Sequence, residues 1–137
     1  MSEHVLVPID ETSLLEDVVA YALERYPEAE VTVLHVLTVA EDAPLGLESA
    51  PAAEEWRDTP LDLFERAEEV ASDYGREIET ITLFGQTART ILEYEQEAGV
   101  DAIVLGSHGR HGLERLLIGS VAETIAQRAS VPVTIVR

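Results

Sequence analysis

Short apolar runs alternate with segments of helical periodicity from one end of this chain to the other, and few folds accept that order. "HVLVPID", residues 4–10, is an apolar run ending in a turn signal and reads as a buried strand. Leu14, Leu15, Val18, Val19, Ala22 and Leu23 then recur at helical spacing. Ser13 and Glu16 stand in capping-box positions at the start of this helix, which runs to about Tyr26. "EVTVLHVL", residues 30–37, is a second strand. Thr59-Pro60 opens the next helix, with Leu61, Phe64, Ala67, Val70, Ala71 and Tyr74 facing inward and Gly75 at its end. "IETITLF", residues 78–84, alternates as a strand does with one wetter face or at a sheet edge.

Ala88, Ile91, Leu92 and Ala98 mark a third helix, stopped by Gly99, and "DAIVLG", residues 101–106, follows as an apolar strand. A last helix over 120–129 turns Val121, Ala122, Ile125 and Ala126 inward, and "VPVTIVR", residues 131–137, is the final strand. The first, second and fourth strands are apolar enough to be covered on both faces. The pattern therefore predicts α/β architecture: one domain over 1–137, an open, doubly wound, five-stranded parallel sheet with helices on both faces. Residues 38–59, with Pro44, Pro51 and Trp56, are long for a plain connection and read as a lid-like loop or a loop with an early helical turn.

Charge narrows the function classes. The chain carries 27 acids against 9 bases, a net charge of −18, and every base is arginine. A lysine-free, carboxylate-rich surface fits a protein working in very high salt, where self-repulsion is screened. Such a surface also disfavours nucleic acid as a partner, since no basic patch exists to displace counterions. No apolar run approaches the ~18 residues of a membrane span. The first residues lack the basic and apolar regions of a signal peptide, and there is no cysteine. The expectation is a cytoplasmic protein without a membrane partner. The charge is uneven, however. Residues 1–100 hold 24 acids and 5 arginines, whereas residues 101–137 hold 3 acids and 4 arginines.

The less acidic stretch contains "LGSHGRHGLERLLIGS", residues 105–120. Gly106 follows the fourth strand directly, in the position where open α/β sheets bind ligands. Gly109 comes three residues later, and nine residues separate it from Gly119-Ser120 at the start of the last helix. Glycines admit close approach of a ligand to backbone amides, and a helix start favours anions. A loop that returns on itself sets Gly106–Gly109 and Gly119–Ser120 on two sides of one phosphate chain, with Arg110 and His111 beside it. Rival phosphate motifs fail. A P-loop needs a lysine. The dinucleotide fingerprint needs glycines after the first strand, where Pro8-Ile9-Asp10 stands instead. A phosphoacceptor receiver needs an aspartate after the third strand, where Phe84-Gly85 stands.

Gly106, Gly109, Gly119 and Ser120, with two and nine residues in the gaps, match the pattern of the nucleotide-binding universal stress proteins, which this chain resembles throughout. "VLVPIDETS" resembles that family's first strand and acidic turn, "VTVLHVL" its second strand, and residues 101–137 its C-terminal third. The resemblance implies a strand order of 3-2-1-4-5. It also implies that Pro8, Ile9 and Asp10 line the adenosine end of an ATP site, that the backbone at Val36 contacts adenine, and that Gly106 and Gly109 face ribose and phosphates. Gly119, Ser120 and Val121 then hold the phosphate chain, with His108 and Arg110 in the intervening loop. Glu11 adds a second carboxylate next to Asp10, which a bound Mg²⁺ would bridge to the phosphates.

Pro132 suits an edge position for the last strand, and Val133, Ile135 and Val136 leave that edge without a guarding charge before Arg137. A homodimer through this strand is expected, in agreement with the family. His4 is expected at the surface and His35 as a hydrogen-bonded core residue; His108 and His111 read as solvated loop residues and not as a metal pair. The leading functional reading is a dimeric, ATP-binding stress-response regulator. Two alternatives stay open: an interaction module of the same fold without nucleotide, and a slow ATPase or phosphotransferase. No catalytic residue is assigned, because Asp10, Glu11 and His108 have no identifiable partner.

Overall fold

The computed structural model describes residues 3–10, 14–38, 59–107 and 118–137. The elements run β1 (His4–Pro8), α1 (Leu15–Arg25), β2 (Glu30–Leu37), α2 (Pro60–Asp73), β3 (Glu79–Phe84), α3 (Thr87–Ala98), β4 (Ala102–Gly106), α4 (Ser120–Arg128) and β5 (Val133–Val136). The five strands form one parallel sheet in the order β3-β2-β1-β4-β5. The chain winds outward from β1 to β3, then crosses back to β4 and outward again to β5. The reversal point lies between β1 and β4.

Alternation along the central strands feeds two cores. Val5 and Val7 of β1, Val31 and Val33 of β2, and Ala102 and Val104 of β4 face α1 and α2. Leu6, Leu34, Ile103 and Leu105 face α3 and α4. Leu6, Leu34 and Ile103 are fully buried. Truncating any of them to alanine removes apolar contacts on a sheet with no open face, a change that costs about 2–5 kcal/mol in cores of this kind.

Helix ends follow their sequence signals closely. Thr59 caps α2, accepting from the Asp62 amide at 3.1 Å while its own amide donates to the Asp62 carboxylate at 3.1 Å. Gly75 and Gly99 adopt φ of +66° and +68° just past α2 and α3, a left-handed conformation that other residues reach only at a cost. The Ser13 half of the expected capping box on α1 lies outside the described residues, and Glu16 is engaged elsewhere: its carboxylate takes two hydrogen bonds from Arg66 of α2, at 2.7 and 2.9 Å.

Helix phase differs from the periodicity reading in two places. Leu63 is buried in α2, whereas Leu61 is 65% exposed and Tyr74 is 39% exposed. Leu63, Phe64, Ala67 and Ala71 define the inner face, and Leu61 lies roughly 200° round the helix from Leu63. The Tyr74 hydroxyl instead donates to Glu24 of α1. In α4 the inner face centres on Ile125, and Ala126, about 100° further round, is exposed. His4 is also not a surface residue. Its ring is half-buried and bonds the buried Thr32 hydroxyl at 2.8 Å.

Two arginines do structural work on the first face. Arg66 ties α2 to α1 through Glu16. Arg76, just past α2, donates to the carbonyls of Leu23, Tyr26 and Ala29 at 3.0, 3.2 and 2.9 Å, and so satisfies the C-terminal end of α1 and the turn into β2. The Arg66 hydrogen bonds hold the Glu16 carboxyl below its ordinary value of 4.5. Because that value is lowered in the folded state, the pair's contribution is present above pH 4.5 and disappears as pH falls through the depressed folded value. The side chains of Arg66 and Glu16 keep 30% and 45% of their exposure, so solvent screens the pair. Arg66→Met is expected to lower stability by about 0.5–1 kcal/mol at neutral pH and by less near the acid limit. Denaturant unfolding of both proteins across that range measures the difference.

Candidate functional site

The carboxyl ends of the strands form a notch above β1. Pairing of β1 with β2 ends at Pro8↔Leu34, but β2 continues to Leu37 and pairs with β3 as far as Phe84. The Ile9 amide donates to the Leu34 carbonyl at 2.9 Å, while on the other side of β2 the Gly85 amide donates to the Leu37 carbonyl at 3.1 Å. Even-numbered residues of β2 therefore point their backbone groups toward β1. The Val36 amide and carbonyl fall on that side, one step beyond the last β1 pair. Val36 itself is half-buried, with its side chain packed against the second core.

Pro8 ends β1 and has no N–H to give to a neighbour. Ile9 is nearly buried, and Asp10 is exposed at the rim of the notch. Leu14, and not Asp10, is the N-cap of α1. On the far side of β1, the register Val5↔Ala102 and Leu6↔Ile103, carried forward, sets Ile9 level with Gly106. The elements on both flanks of the reversal point thus end at one height.

Gly106 earns its place by packing. A Cβ there would come within 3.3 Å of Leu14 Cδ1 and 3.5 Å of Val18 Cγ2. Its small size lets α1 approach the end of β4; it does not have a positive φ. Ser107 is fully buried and extends the sheet, its amide donating to the Val136 carbonyl at 2.8 Å. The Ser107 carbonyl then accepts from the Gly119 amide at 2.6 Å. This bond sets the start of α4 against the end of β4. His108, Gly109 and Arg110 lie outside the described residues, as do Glu11 and His111.

Gly119 is the N-cap of α4, with ordinary extended backbone at φ −64° and ψ 159° and no side-chain hydrogen bond. Ser120 is therefore the first helical residue and not the cap, and it is exposed. The helical ladder begins with the Glu123 amide bonded to the Gly119 carbonyl at 2.9 Å. The amides of Ser120, Val121 and Ala122 precede it, at the positive end of the helix. The structure thus gathers Pro8, Ile9, Asp10, Val36, Gly106, Gly119, Ser120 and Val121 at one end of the sheet.

Periodicity did not reveal Glu95. It is 2% exposed on the inner side of α3 and binds the amide and hydroxyl of Ser130, fastening α3 to the turn before β5. An acid in register with Ile91 and Ala98 was the available signal. His35 is half-buried in β2, level with Thr82 of β3.

Comparison with known proteins agrees with this architecture. The model of the universal stress protein family matches residues 1–137. The universal stress protein YxiE of Bacillus subtilis is 32% identical over 148 aligned positions, covering 100% of both chains. Among solved structures, the universal stress protein UspA of Lactobacillus plantarum superposes with a TM-score of 0.76 at 22% identity, over 98% of this chain and 97% of that one. A universal stress protein in complex with cAMP gives a TM-score of 0.69 at 20% identity, over 98% and 97% of the two chains. One from Archaeoglobus fulgidus in complex with dAMP gives 0.66 at 20% identity, over 100% and 98%.

Proposed function

This chain belongs to the universal stress protein family, and on that premise we propose that it binds an adenine nucleotide, with ATP as the full ligand, in the notch above β1. The observation that carries the reading is the 2.6 Å bond from the Gly119 amide to the Ser107 carbonyl, which joins the start of α4 to the end of β4 beside the reversal point. Parallel sheets bind ligands at such points.

The groups present suit each part of the ligand. Beyond the last β1 pair, the Val36 amide and carbonyl offer a donor and an acceptor to the adenine edge. Ile9 supplies apolar surface, and the exposed Asp10 carboxylate is suited to accept from ribose hydroxyls. The leading amides of α4 at Ser120 and Val121 suit phosphate oxygens, joined by the Ser120 hydroxyl. Gly109, His108 and Arg110 complete the phosphate side in this reading, and Mg²⁺ offsets the acids that follow β1. Two relatives of the same fold are in complex with cAMP and dAMP, which supports the adenine nucleotide class. Mg-ATP at 100 times its dissociation constant is expected to stabilise the fold by about 2.7 kcal/mol, a shift of several degrees. The shift is expected to vanish in Gly109→Val with Ser120→Ala, and Ser120 is exposed. Thermal unfolding checks this, and an unmoved wild type would leave the nucleotide-free interaction module as the better account.

We further propose that the protein acts as a cytoplasmic homodimer joined through β5, whose partner binding depends on nucleotide. The carbonyls of Pro132 and Val136 accept from β4, so the backbone groups of Val133 and Ile135 face away from the sheet, at an edge with no guarding charge before Arg137. Val133→Pro removes one outward N–H and none from the β4 ladder. Sedimentation is expected to give a dimer for the wild type and a monomer for this variant; a monomeric wild type would contradict the proposal.

A further inference from the structure

Helices α3 and α4 lie side by side on the second face of the sheet and enclose a groove of about 490 Å³. Ala88 and Leu92 give it an apolar floor. Two guanidinium groups line it: Arg89 from the first turn of α3 and Arg128 from the last turn of α4. These differ from the arginines of the other face, where Arg66 binds a carboxylate and Arg76 binds three carbonyls. Among the described residues neither Arg89 nor Arg128 has an ion pair, although acids outnumber bases 27 to 9. Glu93 stands four residues after Arg89 on the same helix, a spacing that permits a pair, and it lines the groove unpaired with it.

Two guanidinium forks on one groove match a group with several acidic oxygens and more than one negative charge. A phosphomonoester offers three terminal oxygens to the two forks, against two from a carboxylate, and with Glu93 in the same lining the groove keeps a formal charge of +1. The remaining lining is suited to hydroxyls: the Glu93 carboxylate accepts, and Gln96 and Thr124 both donate and accept. We propose that this groove is a second ligand site, for a small polyol phosphomonoester, with Arg89 and Arg128 on the phosphate and Glu93, Gln96 and Thr124 on the hydroxyls. It shares no residue with the notch above β1, so it stands or falls independently of the nucleotide reading.

The test is an NMR titration of the full chain with sn-glycerol 3-phosphate, and in parallel with inorganic phosphate and with glycerol. The expected result is saturable movement of backbone amides in 86–96 and 124–128 with glycerol phosphate, unchanged by prior saturation with AMP. Both arginines are exposed, so the double variant Arg89→Ala with Arg128→Ala keeps the core intact and is expected to bind at least about ten-fold more weakly. No saturable movement at tens of millimolar, or equal binding by the double variant, overturns the site. Inorganic phosphate binding as tightly as glycerol phosphate overturns the assignment to a polyol ester. Displacement by AMP overturns its independence from the notch.

Discussion

The backbone bond between Gly119 and Ser107 governs what the rest of this molecule can do. It closes the base of the segment that leaves β4 and returns to α4. With that base closed, the positive end of α4 stands beside the end of β4, next to the point where β1 stops short of β2. The sheet's two cores hold this arrangement from below. Leu6, Leu34 and Ile103 on one face and Val5, Val7 and Val33 on the other fix the strands in a register where β1 and β4 end at one height and β2 runs on past them. Gly106 lets α1 lie close against the end of β4, where a Cβ would press on Leu14 and Val18.

The division of the sequence into strands and helices was largely legible, because a parallel sheet buried on both faces needs apolar strands and helices that bury one stripe. Turn and cap signals at Thr59-Pro60, Gly75 and Gly99 marked the ends well. The order 3-2-1-4-5 was not legible from periodicity; it came with the family resemblance, and the sheet has that order. What escaped were contacts between elements far apart in sequence. Nothing local marks Arg76 as the group that satisfies the end of α1, some 50 residues earlier, or Ser130 as the partner of Glu95. Leu61 misled because an apolar residue in a first turn fits the composition of a buried stripe but not its angle. Of the candidate site, the glycine spacing marked the end of β4 and the start of α4 as the places to look. The reason for Gly106 was not, since its neighbours lie on another helix.

Arginine use in this acidic chain follows a physical division. On the α1–α2 face, arginine joins helices and satisfies stranded carbonyls, both tasks suited to a planar fork with several donors. On the α3–α4 face, two arginines line a groove, with no carboxylate paired to them among the described residues. The last third of the chain, with 3 acids and 4 arginines, is also where the glycine-rich segment lies. An anion approaching that last stretch meets less acidic sequence than in residues 1–100, which hold 24 acids and 5 arginines.

The central claim is that the adenine end of a nucleotide lies over β1 and β2. Photolabelling with 8-azido-AMP followed by tryptic mapping tests it directly, since the nine arginines divide the chain into informative peptides. Residues 8–10 fall in the peptide 1–25 and Val36 in the peptide 26–57, whereas most of the α3–α4 groove falls in 77–89, 90–110 and 116–128. The account predicts label on 1–25 or 26–57, removed by excess unmodified AMP. Competable label confined to 77–89 or 116–128 would contradict it.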